Sequence, residues 1–261
     1  MAASATGDGA APTTVLLVHA GIADSRMWQP QVAPLQAAGF RVLRPDLRGY
    51  GERELEPVPF SYARDLEALL DEPAAVIGCS LGGRVSLELA VHRPDLVERL
   101  VLIAPGFPGW EWSAETRAGW AEEEAAFEHG DLDAAAEASA RLWVDRPGRA
   151  ADAVDPSVRE LVREMILRSY ELQRRAWDEG AREEHLLDPP LNERLGDIAC
   201  PTLVLVGDAD VPDLRGIAAH VAGAIREARL VTVPGAAHLP SLERPDQVNE
   251  LLLDFLARPA R

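Results

Sequence analysis

No lysine occurs among the 261 residues, so all 26 basic side chains are arginine. This absence excludes Schiff-base and pyridoxal phosphate chemistry, which need a lysine amine. It also excludes a Walker A phosphate loop. Cysteine is almost as scarce, with only Cys79 and Cys200. Two cysteines cannot build a zinc site by themselves or a disulfide framework, and a chain of this length needs no such staples. Positive charge is outnumbered, 26 basic residues against 43 acidic, for a net charge of −17. Such a balance argues against nucleic acid and against anionic membrane surfaces as partners. No apolar run reaches the roughly 18 residues of a transmembrane helix. Residues 1–13 are rich in Ala, Gly, Ser and Thr and lack the charged and apolar regions of a signal peptide. They are expected to form a disordered leader, and the protein is expected to be cytoplasmic.

Short apolar runs alternate with helical patterns through the first hundred residues. Strands are expected at 14–19, 40–44, 74–79 and 100–104, with helices at 27–38, 63–71 and 81–92 between them. Continuous Val/Ile/Leu runs suit parallel strands covered on both faces, and their alternation with helices marks an α/β fold. From 105 to 196 the strand pattern stops. Ser113 is placed to cap one helix, 131–144 reads as a second, and Asp155-Pro156 opens a third. Five of the six tryptophans lie in this stretch: Trp110, Trp112, Trp120, Trp143 and Trp177. Alternation then resumes, with strands expected at 202–206 and 230–233 and helices at 213–224 and 245–257. The chain thus divides into a core of 14–104 and 197–261 and a helical cap of 105–196 inserted after the fourth strand.

The sharpest local signal is Gly78-Cys79-Ser80-Leu81-Gly82-Gly83, which follows a strand and opens a helix. That context is what a Gly-x-Ser-x-Gly nucleophile elbow requires. The turn is tight, so its flanks need residues without bulk, and the serine oxygen projects at the end of the strand. A second signal is Val18-His19-Ala20-Gly21-Ile22, a small-residue turn able to aim backbone amides at a developing oxyanion. Two more follow late strands: Gly207-Asp208-Ala209-Asp210 and Gly235-Ala236-Ala237-His238. His238 falls beyond the carboxyl end of a strand, where α/β sheets bind their ligands. His92, His129, His185 and His220 have no metal-ligand spacing, and Glu122-Glu123-Glu124 reads as a solvated helix face.

These four segments, in this order, resemble the α/β-hydrolase superfamily, over nearly the whole of residues 14–257. Asp46-Leu47-Arg48-Gly49-Tyr50-Gly51 is similar to the family's loop after its fourth strand, and Trp28 sits where the family often has an aromatic after the His-Gly turn. The resemblance implies that Ser80 is the nucleophile, His238 the general base and acid, and Asp210 the residue that orients the imidazole. Asp210 is preferred to Asp208 because the family places its acid three residues after the glycine. Asp213, at the start of the next helix, is the poorer candidate. The oxyanion hole would use the amide of Leu81 with that of Gly21 or Ile22. Trp110, Trp143 and Trp112 would contact the substrate. No metal and no cofactor is expected.

Three departures bear on these expectations. The first turn reads His-Ala-Gly where the family has His-Gly. Arg53 stands where a serine is frequent. The dozen residues before the first strand leave no room for the family's leading hairpin, so a six-stranded, wholly parallel sheet is expected. The activity implied is hydrolysis of a small carboxylic ester or lactone, with a small-molecule substrate the one partner and the oligomeric state left open. A carbon–carbon bond hydrolase, a cofactor-free haloperoxidase-like enzyme and a slow-turnover receptor use the same fold. Relatives with an aspartate nucleophile are set aside by Ser80, and lyases that need a pocket lysine by its absence.

Overall fold

A computed structural model describes residues 13–146, 149–150, 152–180, 184–186, 188 and 190–258. The leader expected at 1–13 therefore lies, except for Thr13, outside the described residues. Six strands form one parallel sheet: β1 (Thr14–Val18), β2 (Arg41–Leu43), β3 (Ala74–Cys79), β4 (Val97–Ile103), β5 (Thr202–Gly207) and β6 (Arg229–Val233). Their spatial order is β2-β1-β3-β4-β5-β6, and every pairing is parallel, as expected.

Successive side chains of the central strands point to opposite faces, and both faces are dry. Leu16, Val18, Val76, Leu102 and Val204 join one core, whereas Val15, Leu17, Ile77, Val101 and Leu203 join the other. The first is covered by α2 (Tyr62–Glu67), α3 (Leu81–His92) and α7 (Pro212–Ala224), through Leu66, Val85, Leu89, Leu214 and Val221. The second is covered by α1 (Gln29–Ala37) and the closing helix α9 (Pro245–Leu256), through Leu35, Val248 and Leu252. Two-sided burial explains why these strands read as unbroken apolar runs rather than as alternating ones. A further short helix, α8 (Pro240–Glu243), sits between β6 and α9.

Strand order reverses between β1 and β3, because β2 lies on the far side of β1. A crevice opens at such a switch point, outside the carboxyl ends of the strands. The segments holding Gly21, Ser80, Asp210 and His238 follow β1, β3, β5 and β6 on that edge.

Between β4 and β5 the chain forms α4 (Ala114–Glu128), α5 (Leu132–Ala140) and α6 (Pro156–Asp178). Each starts on a side-chain cap: Ser113 accepts from the Thr116 amide, Asp131 from Ala134 and Asp155 from Ser157. Gly130 ends α4 at φ 80°, a conformation that glycine adopts without strain. The helix expected to run through 144 instead loosens into a π-helical turn, Arg141–Asp145. Single π turns recur at functional sites, and this one carries Trp143.

Candidate active site

Ser80 links β3 to α3 with φ 51° and ψ −112°, outside the region that a residue with a Cβ occupies freely. Such a conformation costs on the order of 1–3 kcal/mol and persists only where its surroundings impose it. Here the backbone imposes it. The Ser80 amide donates to the Ile103 carbonyl at 2.9 Å, and the Ser80 carbonyl accepts from Arg84 at 3.0 Å and Gly106 at 2.9 Å. The two flanking glycines are steric necessities. A Cβ on Gly78 would strike the Gly82 carbonyl and the Ser86 hydroxyl, and one on Gly82 would strike the carbonyls of Val18 and His19. Leu81 begins α3, so its amide is among those a helix start leaves free, at the positive end of the helix dipole.

The turn after β1 packs directly on this elbow. The Ala23 amide donates to the Ala20 carbonyl at 3.1 Å, which leaves Gly21 and Ile22 at its centre. A Cβ on Gly21 would lie 3.5 Å from Leu81 Cβ and 3.6 Å from the Tyr50 hydroxyl. His19 ties the turn down. Its Nδ1 lies 2.8 Å from the Ala20 carbonyl, its Nε2 accepts from the Leu47 amide at 2.9 Å, and its own carbonyl accepts from Gly82 at 3.1 Å. A carbonyl on one ring nitrogen and an N–H on the other define a neutral imidazole with its proton on Nδ1. Burial lowers the His19 pKa in the same sense. His19 is thus a structural residue of this turn. Tyr50 packs beside it, with ring centroids 4.9 Å apart and planes tilted by 60°, and burial pushes its phenol up to about 12, so it remains protonated.

His238 and Asp210 are both buried, and His238 Nδ1 lies 3.1 Å from Asp210 Oδ2. A carboxylate oxygen accepts, so Nδ1 is the donor in this contact and Nε2 is the ring nitrogen that faces away from Asp210. The other Asp210 oxygen accepts from the Val211 amide at 2.7 Å. Asp208 points elsewhere: its carboxylate accepts from the Gly235 amide at 2.8 Å and holds the histidine loop rather than its ring. Gly207 brings the two loops together, since a Cβ there would collide with the carbonyls of Ala236 and Ala237. Cys79, next to Ser80, reaches back with its thiol 3.8 Å from the His238 carbonyl. Burial raises the Cys79 pKa, so the thiol is inert. Among the described residues no cluster of His, Cys, Asp and Glu could hold a metal ion.

The three tryptophans picked out in the sequence occupy different places. Trp143 stacks on His238, with centroids 4.7 Å apart and planes 35° apart. Trp120 lies 6.0 Å from Trp143, and Trp112 packs edge-on to Trp120 at 4.7 Å, so an aromatic ladder runs outward from the imidazole. Trp110 instead packs on α7: a Cβ on Gly216 would lie 2.9 Å from its ring, and His220 is 6.0 Å away. Asp213 also belongs to this seam. Its carboxylate accepts from the Ser113 amide at 2.8 Å, the Ser113 hydroxyl at 2.7 Å and the Thr116 hydroxyl at 2.6 Å. Burial alone would raise the Asp213 pKa, but these donors hold it below the usual carboxylate range. Trp177 is exposed.

The sequence profile of the alpha/beta hydrolase family matches residues 15–251. The chain belongs to that family. It is a hydrolase, and solved hydrolases share its fold. One from Pseudomonas aeruginosa is 30% identical, with a TM-score of 0.73 over 96% of this chain and 92% of that one. An enol-lactonase from Burkholderia xenovorans is 26% identical, with a TM-score of 0.75 over 97% and 94%. A protein of Synechocystis that bears a provisional non-heme chloroperoxidase name is 29% identical over 93% of this chain and 90% of its own.

Two contributors to this candidate site lie outside the sequence motifs. Glu243 follows His238 by five residues, and its carboxylate accepts from the amides on both sides of the histidine, Ala237 at 3.0 Å and Leu239 at 3.2 Å. A charged residue directly after the uncharged Leu239–Leu242 stretch was the available signal. Arg149, which pairs with Glu243 at 2.9 Å, is separated from it by 94 positions, and nothing local announces the contact.

Proposed function

We propose that this protein hydrolyses a small carboxylic ester or lactone through an acyl-enzyme on Ser80. The observation that carries the reading is the buried Asp210–His238 contact, which engages Nδ1 and not Nε2, on the same sheet edge as the strained Ser80 turn. Nε2 takes the Ser80 proton as Oγ attacks the carbonyl carbon. The negative charge that develops on the carbonyl oxygen is met by the Leu81 amide together with that of Gly21 or Ile22. Collapse breaks the carbon–oxygen bond, and the imidazolium returns its proton to the departing alcohol. Water, deprotonated by the same nitrogen, then releases the acid. For a lactone the alcohol stays tethered to the acyl group, and the product is a hydroxy acid. In this reading 105–196 is a cap, and Trp143 and Trp112 favour an apolar substrate group on or around the aromatic ladder, while Trp110 packs on α7 instead. The enol-lactonase and hydrolase relatives support the lactone and ester class.

A fluorophosphonate probe and p-nitrophenyl acetate test this directly. The wild type is expected to be labelled at Ser80 and to turn the acetate over many times. Ser80→Ala should lose both, by on the order of 10³–10⁶ in rate, with its melting temperature unchanged. Labelling without turnover would point to a receptor instead. The Synechocystis relative favours a second reading, in which hydrogen peroxide rather than water takes the acyl group. Formation of peracid when the assay contains peroxide separates the two.

A further inference from the structure

Glu243 closes α8 with its side chain only 1% exposed. A buried carboxylate costs several kcal/mol unless it is fully paired. Its pairing is complete and lopsided. Both oxygens accept from the Ala237 amide at 3.0 Å, one also accepts from Leu239 at 3.2 Å, and the other takes the Arg149 guanidinium at 2.9 Å. The carboxylate therefore grips the peptide on either side of His238.

Arg149 comes from the segment between α5 and α6, so its partners span two regions. Its Nη2 also donates to the Gly235 carbonyl at 3.1 Å, at the start of the histidine loop. Its Nη1 donates to the Val144 carbonyl at 3.0 Å. Val144 follows Trp143, whose ring lies on the His238 imidazole. The connections form a closed circuit: imidazole, histidine loop, Glu243, Arg149, the π turn, Trp143, and back to the imidazole. One guanidinium thus fixes the loop that carries His238 and the backbone that carries the ring stacked on it. Its planar fork reaches all three acceptors, the Glu243 carboxylate and the Gly235 and Val144 carbonyls, from one side chain.

We propose that the Arg149–Glu243 pair is a latch through which the helical insertion sets the position of the His238 imidazole for proton transfer. Both are positioning residues, and the proposal rests on the reading of His238 as the general base. Proton transfer tolerates little displacement, and a misplacement of about 1 Å can cost about 10²-fold.

Arg149→Met, Arg149→Lys and Glu243→Gln test the latch in the full chain. Three measurements are compared with wild type: the rate constant for fluorophosphonate labelling, kcat and KM on p-nitrophenyl acetate, and the downfield proton resonance of the Nδ1–H bond to Asp210. In Arg149→Met, kcat and the labelling constant are expected to fall about 10–100-fold, with KM within about threefold of wild type. Arg149→Lys keeps the cation for Glu243 and recovers most of that loss. Glu243→Gln keeps an oxygen for one amide but breaks the ion pair, and shows the same fall in kcat. It serves if Arg149→Met does not fold. A folded Arg149→Met within about twofold of wild type overturns the proposal. So does a loss confined to KM, or a lysine variant no better than methionine. The resonance reads the latch without turnover: it is expected to broaden by exchange in Arg149→Met and to return in Arg149→Lys. Were the wild type not labelled at Ser80, the ester-hydrolase reading would fall, and an unaltered resonance in Arg149→Met would separately end the latch.

Discussion

Ser80 and His238 are held in place by opposite means. Around Ser80 the backbone does the work: carbonyls fill the space where a Cβ on Gly78 or Gly82 would go, and main-chain hydrogen bonds hold the strained residue. Around His238 the support comes from side chains, namely Asp210 on the ring, Asp208 and Glu243 on the loop amides, and Trp143 on the ring face. A backbone-built turn is stiff and tolerates no bulk. A loop held by side chains can be adjusted, because each contact comes from a different element.

That contrast can be broken at several points. The largest effect is expected at the histidine. His238→Ala should lower kcat/KM by on the order of 10³-fold or more, with little change in melting temperature. Steady-state kinetics and thermal melts of both proteins check this, and a folded variant within about tenfold of wild type would count against His238 as base.

Next comes the elbow. Gly82→Ala forces a Cβ against the carbonyls of Val18 and His19, with no flexible side chain to give way. A loss of about 3 kcal/mol, at the upper end of what overpacking costs, should appear in urea unfolding. A variant as stable as wild type would mean that the backbone there is less constrained than its contacts imply.

A smaller effect should come from Trp143→Ala. Removing the ring stacked on His238 is expected to change the ratio of kcat/KM for an aromatic ester and an acetate ester by about tenfold, the scale of hydrophobic pocket contacts. Trp110→Ala, whose ring rests on α7, should leave that ratio nearly unchanged and lower stability instead. Equal ratios in both variants would remove the distinction between the two tryptophans.

The smallest effect concerns the seam between α4 and α7. Asp213→Asn weakens a carboxylate that accepts three hydrogen bonds, at a cost of about 1–2 kcal/mol near neutral pH. The lowered pKa of Asp213 gives the sign. Its stabilising contribution is present above the ordinary carboxylate pKa of about 4 and is lost as the pH falls through the lower folded value. The stability gap between wild type and variant should therefore narrow in acid. Thermal melts at neutral and acid pH measure it.

Much of this arrangement is legible in the residues themselves. The inner strands β1, β3 and β5 announce themselves as apolar runs because both of their faces are buried. The elbow is visible because its constraint is local: Gly78 and Gly82 stand two positions to either side of Ser80, within one turn. The preference for Asp210 over Asp208 comes from the family resemblance, not from the residues alone, and the buried contact with His238 involves Asp210. The latch was not visible. Arg149 and Glu243 are two common charged residues, in a chain with 26 basic and 43 acidic ones, and no spacing rule pairs them. Trp110 and Trp143 look alike in the sequence, yet one lies on α7 and the other on the imidazole.

The amino-acid order by itself determined whatever depends on neighbours in the chain: strand and helix periods, helix caps at Ser113, Asp131 and Asp155, and the small residues that a tight turn demands. Steric exclusion and local hydrogen bonding act over a few residues, so they leave a pattern that can be read. The tertiary structure alone decided which long side chains meet across the fold. Only packing brings Glu243 to Arg149, Asp213 to Ser113 and Trp143 to His238. A charge or a ring can satisfy itself with many partners, and its choice is set by which buried donor or face lies within reach once the sheet edge and the insertion have come together.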